Sequence, residues 1–289
     1  MCIKCKDICL AAALAAMLSC GGKTPPSNSP DWAEDEEQES FLREDIEGDE
    51  EAEEELDLQE EDNPRLDGVF DDFLFAYLHS HALRQERTAK PLRLEQKERP
   101  TEMLEQFDPA FELSFLSGEY LTTFYGNAAQ MQAEDDEEFE EDSVVSLQRI
   151  NLNDGTIRNF LFFREEGRWQ LDAIHEATFI DDDLSDFLGF YARFCSDSLF
   201  QRQSIANPLH IVLQDPEDEE GSIDGTIDAD QWQTVCPEVP SGIISNIRKG
   251  QHYGQHRVVM RKSGQSNGLQ EIFTFTKDKG DWHLTKYEN

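Results

Sequence analysis

The chain has 289 residues, of which 62 are acidic and 25 are basic, and its formal net charge is −37. This balance excludes a nucleic-acid-binding protein, because affinity for phosphates comes from cationic side chains that displace counterions. It argues equally against a protein that lies flat on anionic lipid.

The first nineteen residues have the order of a secretion signal. Lys4 and Lys6 precede an apolar run over residues 8–18. A helix of that length reaches only about 16 Å, roughly half of the hydrocarbon thickness of a bilayer. Residues 1–19 are therefore predicted to be a signal peptide that is removed, not a membrane-spanning helix.

The apolar run ends in Met17-Leu18-Ser19-Cys20-Gly21, which resembles the lipobox of bacterial lipoproteins. The resemblance implies that Cys20 carries lipid, and two or more acyl chains hold a protein stably on a membrane. We expect a cell-envelope protein whose first partner is the membrane, anchored at the outer membrane and facing the periplasm. The alternative is a secreted protein whose cysteine stays unmodified.

A tether is predicted over residues 20–65. Residues 21–65 contain 19 acidic and three basic residues, and such a segment buries too little apolar surface to offset the entropy of ordering. We expect a disordered acidic linker with a root-mean-square reach of roughly 35 to 40 Å.

The rest of the chain contains an internal duplication. We predict a first domain over residues 66–180 and a related second domain over residues 181–289. The blocks that recur in the same order are Asp72-Phe73-Leu74 and Asp186-Phe187-Leu188, Tyr125-Gly126 and Tyr253-Gly254, and Gly167, Trp169 and Leu171 with Gly280, Trp282 and Leu284. Their conserved order makes a duplication a better explanation than chance.

Each copy begins with an apolar stripe at helical spacing. The stripes are Phe70, Phe73, Leu74 and Tyr77 in the first copy, and Leu184, Phe187, Leu188 and Tyr191 in the second. Residues three and four apart share one helical face. A long helix is therefore predicted in each copy, and it leads on to His81 in the first and to Cys195 in the second.

Strand pairs joined by tight turns follow in each copy, after a short helix near residues 101–107 or 230–235. The predicted pairs are 144–152 with 156–163, joined by Asn153-Asp154-Gly155, and 257–262 with 269–276, joined by a segment ending in Asn267-Gly268. A last strand holds Trp169 or Trp282. The predicted fold class is α+β, with two tandem cone-like repeats, each a long N-terminal helix packed on a curved antiparallel sheet.

The closing strands carry a resemblance to a known fold. Their motifs are Phe160-Leu161-Phe162-Phe163 with Gly167-Arg168-Trp169-Gln170-Leu171, and Phe273-Thr274-Phe275 with Gly280-Asp281-Trp282-His283-Leu284. A helix-first unit that ends in this way resembles the nuclear transport factor 2-like, or cystatin-like, cone. The tandem arrangement behind a lipobox resembles an uncharacterised lipoprotein family of Bacteroides-type bacteria. That fold hosts enzymes, binding modules and scaffolds alike, so the resemblance is nearly silent on function.

The cones hold three candidate residues for chemistry, which are His81, Asp108 and His175. In enzymes of the resembling fold, a buried acid or histidine acts as a base inside the cone, and His81 would extend the core-facing stripe of its helix. His175 would share a strand face with Trp169 and Leu171. No nucleophile with a partner base is recognisable, and no set of histidines and cysteines has zinc spacing. We therefore expect no cofactor and no metal.

Alignment of the two copies places Cys195 at the position of His81 and Cys236 at the position of Asp108. A disulfide between Cys195 and Cys236 is therefore one hypothesis, with a hydrogen bond between His81 and Asp108 as its counterpart in the first copy. The oxidising cell exterior permits a disulfide. Two reduced thiols are the alternative.

These observations favour a non-enzymatic envelope lipoprotein that binds a small ligand or another envelope protein. Two alternatives stay open. One is a small-molecule isomerase or hydrolase that uses a cavity histidine in the first cone. The other is a purely structural role, in which the two copies pack together without a ligand.

Overall fold

The computed structural model describes residues 66–135, 143–216, 218–235, 238–264 and 268–289. The predicted signal peptide, Cys20 and the predicted acidic linker lie outside these residues. The helices are α1 (Phe70–His79), α2 (His81–Glu86), α3 (Pro109–Glu112), α4 (Ala128–Glu134), α5 (Ser185–Ser196), α6 (Ser198–Gln203) and α7 (Trp232–Val235). In the described part of the chain, no helix has the length and apolar character needed to span a bilayer.

Each predicted long helix is in fact a pair of helices that meet at a polar cap residue. Ser80 is extended, and its hydroxyl accepts a hydrogen bond from Leu83 N at the start of α2. Asp197 separates α5 from α6 and accepts from Leu199 N and Phe200 N. Serine and aspartate satisfy the first N–H groups of a helix in this way. Each cap residue therefore begins a new helix, and the apolar stripe of the preceding helix ends before it.

The strands form two six-stranded sheets, which confirms the α+β class. They are β1 (Thr88–Gln96), β2 (Glu102–Leu104), β3 (Tyr120–Tyr125), β4 (Val144–Asn151), β5 (Thr156–Glu165), β6 (Arg168–Thr178), β7 (Ile205–Asp215), β8 (Asp218–Ile227), β9 (Ile243–Arg248), β10 (Arg257–Gly264), β11 (Gln270–Asp278) and β12 (Asp281–Glu288). The first sheet has the order β2-β1-β6-β5-β4-β9, and the second has the matching order β8-β7-β12-β11-β10-β3.

The pairing between strands confirms the two predicted hairpins and corrects two other expectations. β4 pairs with β5 and β10 with β11, both antiparallel. The sheets are not wholly antiparallel, because β1 runs parallel to β6 and β7 runs parallel to β12. These strands are not neighbours in the chain, so no tight turn sets their relative direction. The helix predicted near residues 101–107 is strand β2, which pairs with an edge of β1.

The strand at one edge of each sheet comes from the other half of the chain. β3 lies in the first half but pairs with β10 of the second sheet, and β9 lies in the second half but pairs with β4 of the first sheet. The exchange is reciprocal. Each sheet therefore contains five strands from one half and one strand from the other.

The registers show which residues of the exchanged strands are equivalent. Leu147 and Met260 occupy the same place in the two halves, since they face Phe160 and Phe273 respectively. Ile247 lies opposite Leu147, and Phe124 lies opposite Met260. Phe124 and Ile247 are therefore equivalent, and one position further on Tyr125 is equivalent to Arg248. The sequence alignment of Tyr125 with Tyr253 is wrong by five residues.

Aromatic side chains fill the space between each sheet and its helix. The predicted stripes of α1 and α5 are buried throughout. Phe70 packs edge-on against Phe162 and Trp169, with ring centroids 5.2 Å apart in both pairs. Phe187 packs in the same way on Phe275 and Trp282, at 5.3 Å in both pairs. Aromatic pairs at this separation add to the stabilisation that burial provides.

Candidate functional site

Two charged residues lie on the inner face of the second sheet, which is the face that packs against α5. Along β10, Lys262 follows Val258 and Met260 at alternate positions, and along β11, Glu271 precedes Phe273 and Phe275. Alternate residues of a strand share one face. Lys262 lies directly opposite Glu271 in the register, so the row of core residues ends in an ion pair.

Glu271 is held from two sides. Its Oε1 accepts a hydrogen bond from the Tyr287 hydroxyl at 2.6 Å, and its Oε2 accepts from the Lys262 ammonium. The Lys262 ammonium also donates to Glu238 O at 2.9 Å and lies 4.9 Å from the ring centroid of Tyr120. The side chains of Lys262 and Glu271 are only 12% and 19% exposed. We call Lys262, Glu271, Tyr287, Tyr120 and Trp232 the inner cluster.

Two aromatic members complete the inner cluster. Trp232 of α7 is buried and packs edge-on against Tyr287 with a centroid distance of 5.7 Å. Its indole N–H has no hydrogen-bond acceptor within the ranges that the structure describes. Burial raises the pKa of Tyr120, and the Glu238 carboxylate raises it further. Tyr120 is thus a neutral phenol beneath the lysine.

As arranged, the inner cluster pairs its charges within the protein. Both oxygens of Glu271 accept hydrogen bonds, one from Lys262 and one from Tyr287. The equivalent inner positions of the first sheet hold Arg149 and Arg158, and Arg158 pairs with Glu112 at 2.8 Å. The cluster is therefore particular to the second sheet.

The three candidate residues named from the sequence lie apart from one another. His81 is exposed as the first residue of α2, because the helix break at Ser80 removes it from the buried stripe, and its Nε2 contacts the Gln85 amide at 3.1 Å. Asp108 accepts from Ala110 N at 3.0 Å and caps α3. In the described structure, the two do not hydrogen-bond to each other.

His175 lies on the outer face of the first sheet. The register between β5 and β6 shifts between Leu161 and Phe162, and such a bulge reverses the alternation of side chains. Ile174 therefore faces the core beyond the bulge, and His175 does not share the face of Trp169. It lines an open groove of about 430 Å³ together with Glu95, Gln96, Lys97, Thr101, Glu176, Ala177 and Asp181.

His175 ends a row of polar side chains that crosses the outer face of the first sheet. Asn246, Gln148, Asn159 and His175 lie opposite one another in β9, β4, β5 and β6. Asn246 Nδ2 donates to Gln148 Oε1 at 2.7 Å, and Gln148 Nε2 donates to Asn159 Oδ1 at 2.8 Å. The three amides are buried, and buried polar groups are costly unless they are hydrogen-bonded.

A second open groove lies at the other end of this row. We call it the junction groove, because it follows the exchanged strand β9. It has a volume of about 540 Å³ and is lined by Asp183, Arg248, Gly250, Gln251, His252, Tyr253 and Gln255. The Tyr253 hydroxyl accepts from Asn246 Nδ2 at 3.3 Å, and burial raises the pKa of Tyr253 to about 12. Arg248 donates to Asp183 at 2.8 Å.

The proposed disulfide is only half visible. Cys195 lies near the end of α5, and its thiol donates to Pro240 O at 3.3 Å. Cys236 lies outside the described residues, so the pairing stays a prediction. Cys20 lies outside them as well. Among the described residues, no group of histidine, cysteine and acidic side chains is placed to hold a metal ion.

The inner cluster was missed by the sequence analysis, although its signal is present. Glu271 alternates with Phe273 and Phe275, and Lys262 alternates with Met260 and Val258. A charged residue in phase with a core row marks a buried charge.

Comparison with known proteins is consistent with this architecture. Residues 49–289 match the family model described as "Domain of unknown function (DUF4348)". A solved structure of a nuclear transport factor 2-like protein from Bacteroides fragilis is similar, with a TM-score of 0.68 and 28% sequence identity over 77% of this chain and 96% of that chain. No curated protein matches. The predicted resemblance is thereby confirmed, and the chain belongs to the DUF4348 family.

Proposed function

We propose that the protein is a lipid-anchored envelope lipoprotein whose two cone-like repeats bind a ligand or another envelope protein and do not catalyse a reaction. Each sheet with its helix pair forms one cone of the nuclear transport factor 2-like fold. The observation that carries the proposal is the filling of both cones by buried aromatic side chains.

A filled cone leaves no room for a substrate beside a base. Small-molecule sites are concave and largely preformed, whereas Phe70, Phe73 and Tyr77 contact Phe162 across the inner face of the first sheet. His81 lies outside this space. An isomerase or hydrolase with a cavity histidine in the first cone is therefore not favoured.

Binding is better supported on the outer faces. The junction groove is open, and two of its lining side chains are held by bonds within the protein, Tyr253 by Asn246 and Arg248 by Asp183. A preformed site loses little entropy when it binds. Gln255 and His252 are exposed at the rim, where they can contact a partner.

Lipid attachment is tested by growing the native host with an alkyne analogue of palmitate. The wild-type chain should become labelled and sediment with membranes, whereas Cys20→Ala should be unlabelled. Labelling of the Cys20→Ala chain would contradict an anchor at this residue. Protease treatment of intact cells then tests the periplasmic side, because a protein that faces the periplasm should survive it.

The binding site is tested by placing a photo-crosslinking amino acid at Gln255 in the native host. A control carries the same amino acid at Lys90, which is also exposed but lies on β1 of the first sheet. We expect a discrete adduct from position 255 and none from position 90. Equal adducts from both positions, or none from either, would contradict a binding site in the junction groove.

A further inference from the structure

The two halves meet at equivalent residues of their exchanged strands. Thr122 of β3 and Ser245 of β9 are equivalent, two positions before Phe124 and Ile247. The Ser245 hydroxyl accepts from Thr122 N at 2.8 Å and donates to Thr122 O at 3.0 Å. Contact between a residue and its own equivalent is the signature of a two-fold interface. The junction thus has the form of a symmetric dimer interface within one chain.

Each exchanged strand carries a core residue into the other half. Phe124 is buried between the second sheet and α5, with its ring 5.7 Å from Phe187 and 6.4 Å from Tyr191. Ile247 is buried in the core of the first sheet. Without the other half, the first core would lose Ile247, the second core would lose Phe124 together with Ile150, Leu152 and Ile157, and each sheet would lose an edge strand.

A buried ion pair also crosses the junction. Lys249 follows β9, and its ammonium donates to Asp71 at 2.8 Å and lies 2.9 Å from Glu134 Oε1, both in the first half. Its side chain is only 3% exposed. Burial by itself would lower the pKa of Lys249, but the two carboxylates outweigh it and raise the pKa. A charge buried this deeply needs its partners.

Amide hydrogen bonds cross the same boundary. Asn246 of β9 donates to Gln148 of β4 and accepts from Phe124 N of β3 at 2.9 Å. The Asn246 side chain therefore links β4 of the first sheet to β3, which belongs to the first half of the chain but pairs in the second sheet. Contacts within the chain group the described residues of both halves as one compact unit.

We infer that the two halves form one inseparable folding unit, in which the exchanged strands and not the peptide link hold the second half to the first. The link runs through Phe179–Asp181, and Ile180 is 86% exposed. Cutting the folded chain at this point leaves every junction contact in place. After such a cut, the second half stays bound to the first half through these contacts. The inference does not depend on the proposed binding function or on the lipid anchor.

The test uses the full chain with a specific protease site introduced at Ile180. The folded protein is cut completely and examined by size-exclusion chromatography with light scattering. We expect one particle with the mass of the uncut chain, and separation into two pieces only in denaturing urea. Two separate pieces in native buffer would overturn the inference. The uncut variant must first match the wild type in circular dichroism and melting temperature.

A matched pair of variants locates the interaction in the exchanged strand. Ile247→Asp puts a carboxylate in the first core, whereas Ile223→Asp changes a half-exposed apolar residue on edge strand β8. After cutting, the Ile223→Asp chain should stay together, and the Ile247→Asp chain should separate at urea concentrations that leave the wild type intact. If both variants separate at the wild-type urea concentration, β9 does not hold the halves together.

Discussion

Trp282 donates its indole N–H to Asp186 at 2.7 Å and so ties the closing strand of the second half to α5. Lys277 donates to the same carboxylate at 2.7 Å. These bonds, with that of Lys277 as the larger cause, hold the pKa of Asp186 below its ordinary value of 3.8. The equivalent indole N–H of Trp169 is buried and has no acceptor in the described part of the chain.

We expect Asp186→Asn to make the free energy of unfolding less dependent on pH in the acidic range. A carboxylate whose pKa is lowered by folding contributes stability that is present above pH 3.8 and is lost as the pH falls through its folded pKa. At pH 7 the loss should be about 0.5 kcal/mol, which is small because the side chain is largely exposed. Urea unfolding at pH 7 and at pH 2.5 measures how much free energy of unfolding the variant loses at each pH. Asp72→Asn, at the equivalent exposed position of α1, is the control, and a loss from Asp186→Asn that is the same at both pH values would contradict the assignment.

Phe124→Ala should destabilise the whole protein, although Phe124 belongs to the first half. Truncation of a buried phenylalanine typically costs about 3 to 5 kcal/mol, because a cavity replaces its contacts. Since the residue packs on α5, we expect both halves to unfold together in one transition at lower urea. Phe75→Ala, which removes a ring that is 67% exposed, should shift the midpoint little. Two resolved transitions in the Phe124→Ala protein would argue that the halves fold separately.

The inner cluster predicts strong coupling between Lys262 and Glu271. Lys262→Met leaves a partly buried carboxylate without its cation, at a cost of about 1 to 3 kcal/mol. Adding Glu271→Gln removes the stranded charge and keeps an acceptor for Tyr287. The double variant should therefore be more stable than Lys262→Met alone, as measured by urea unfolding. Additive losses would show that the pair is not coupled.

The redox state of Cys195 and Cys236 can be measured on protein purified from the native host. The disulfide hypothesis, in which the bond would close a loop of about 40 residues and stabilise the fold by roughly 3 to 4 kcal/mol, predicts that both thiols are blocked. Alkylation of the unfolded, unreduced chain followed by mass spectrometry should find neither thiol modified. Alkylation of both residues would contradict the disulfide. Reduction should lower the melting temperature of the wild type but not that of Cys195→Ala.

Local pattern predicted much of the fold. The stripes of α1 and α5, the hairpins of each half and the closing strands with Trp169 and Trp282 are all where spacing and turn residues placed them. These features depend on residues close together in the chain. Two other features depend on pairing between distant parts of the chain: the parallel direction of β1 and β6, and the exchange of β3 and β9. The alternation of side chains along one strand shows which face is buried but not which strand it pairs with.

The candidate site was harder to predict for a related reason. His81 does not continue the buried stripe, because Ser80 caps a new helix instead of continuing the first one. His175 lies on the opposite face from the one predicted, because a bulge shifts the alternation of β6. Both events are single-residue changes in phase. The positions of Glu271 and Lys262 on the inner face could have been predicted from the alternation along each strand. Their contact with Tyr287 could not, because it depends on the register of β10, β11 and β12.

The exchange of strands has a consequence for truncated chains. A chain that stops before Ile243 would still make β4 but would leave its outer edge, Ser146–Asn151, with unpaired backbone groups beside apolar side chains. Open edges of this kind recruit strands from neighbouring molecules and lead to aggregation. Loss of the second half should therefore expose this edge to pairing with other molecules and not merely remove one binding surface.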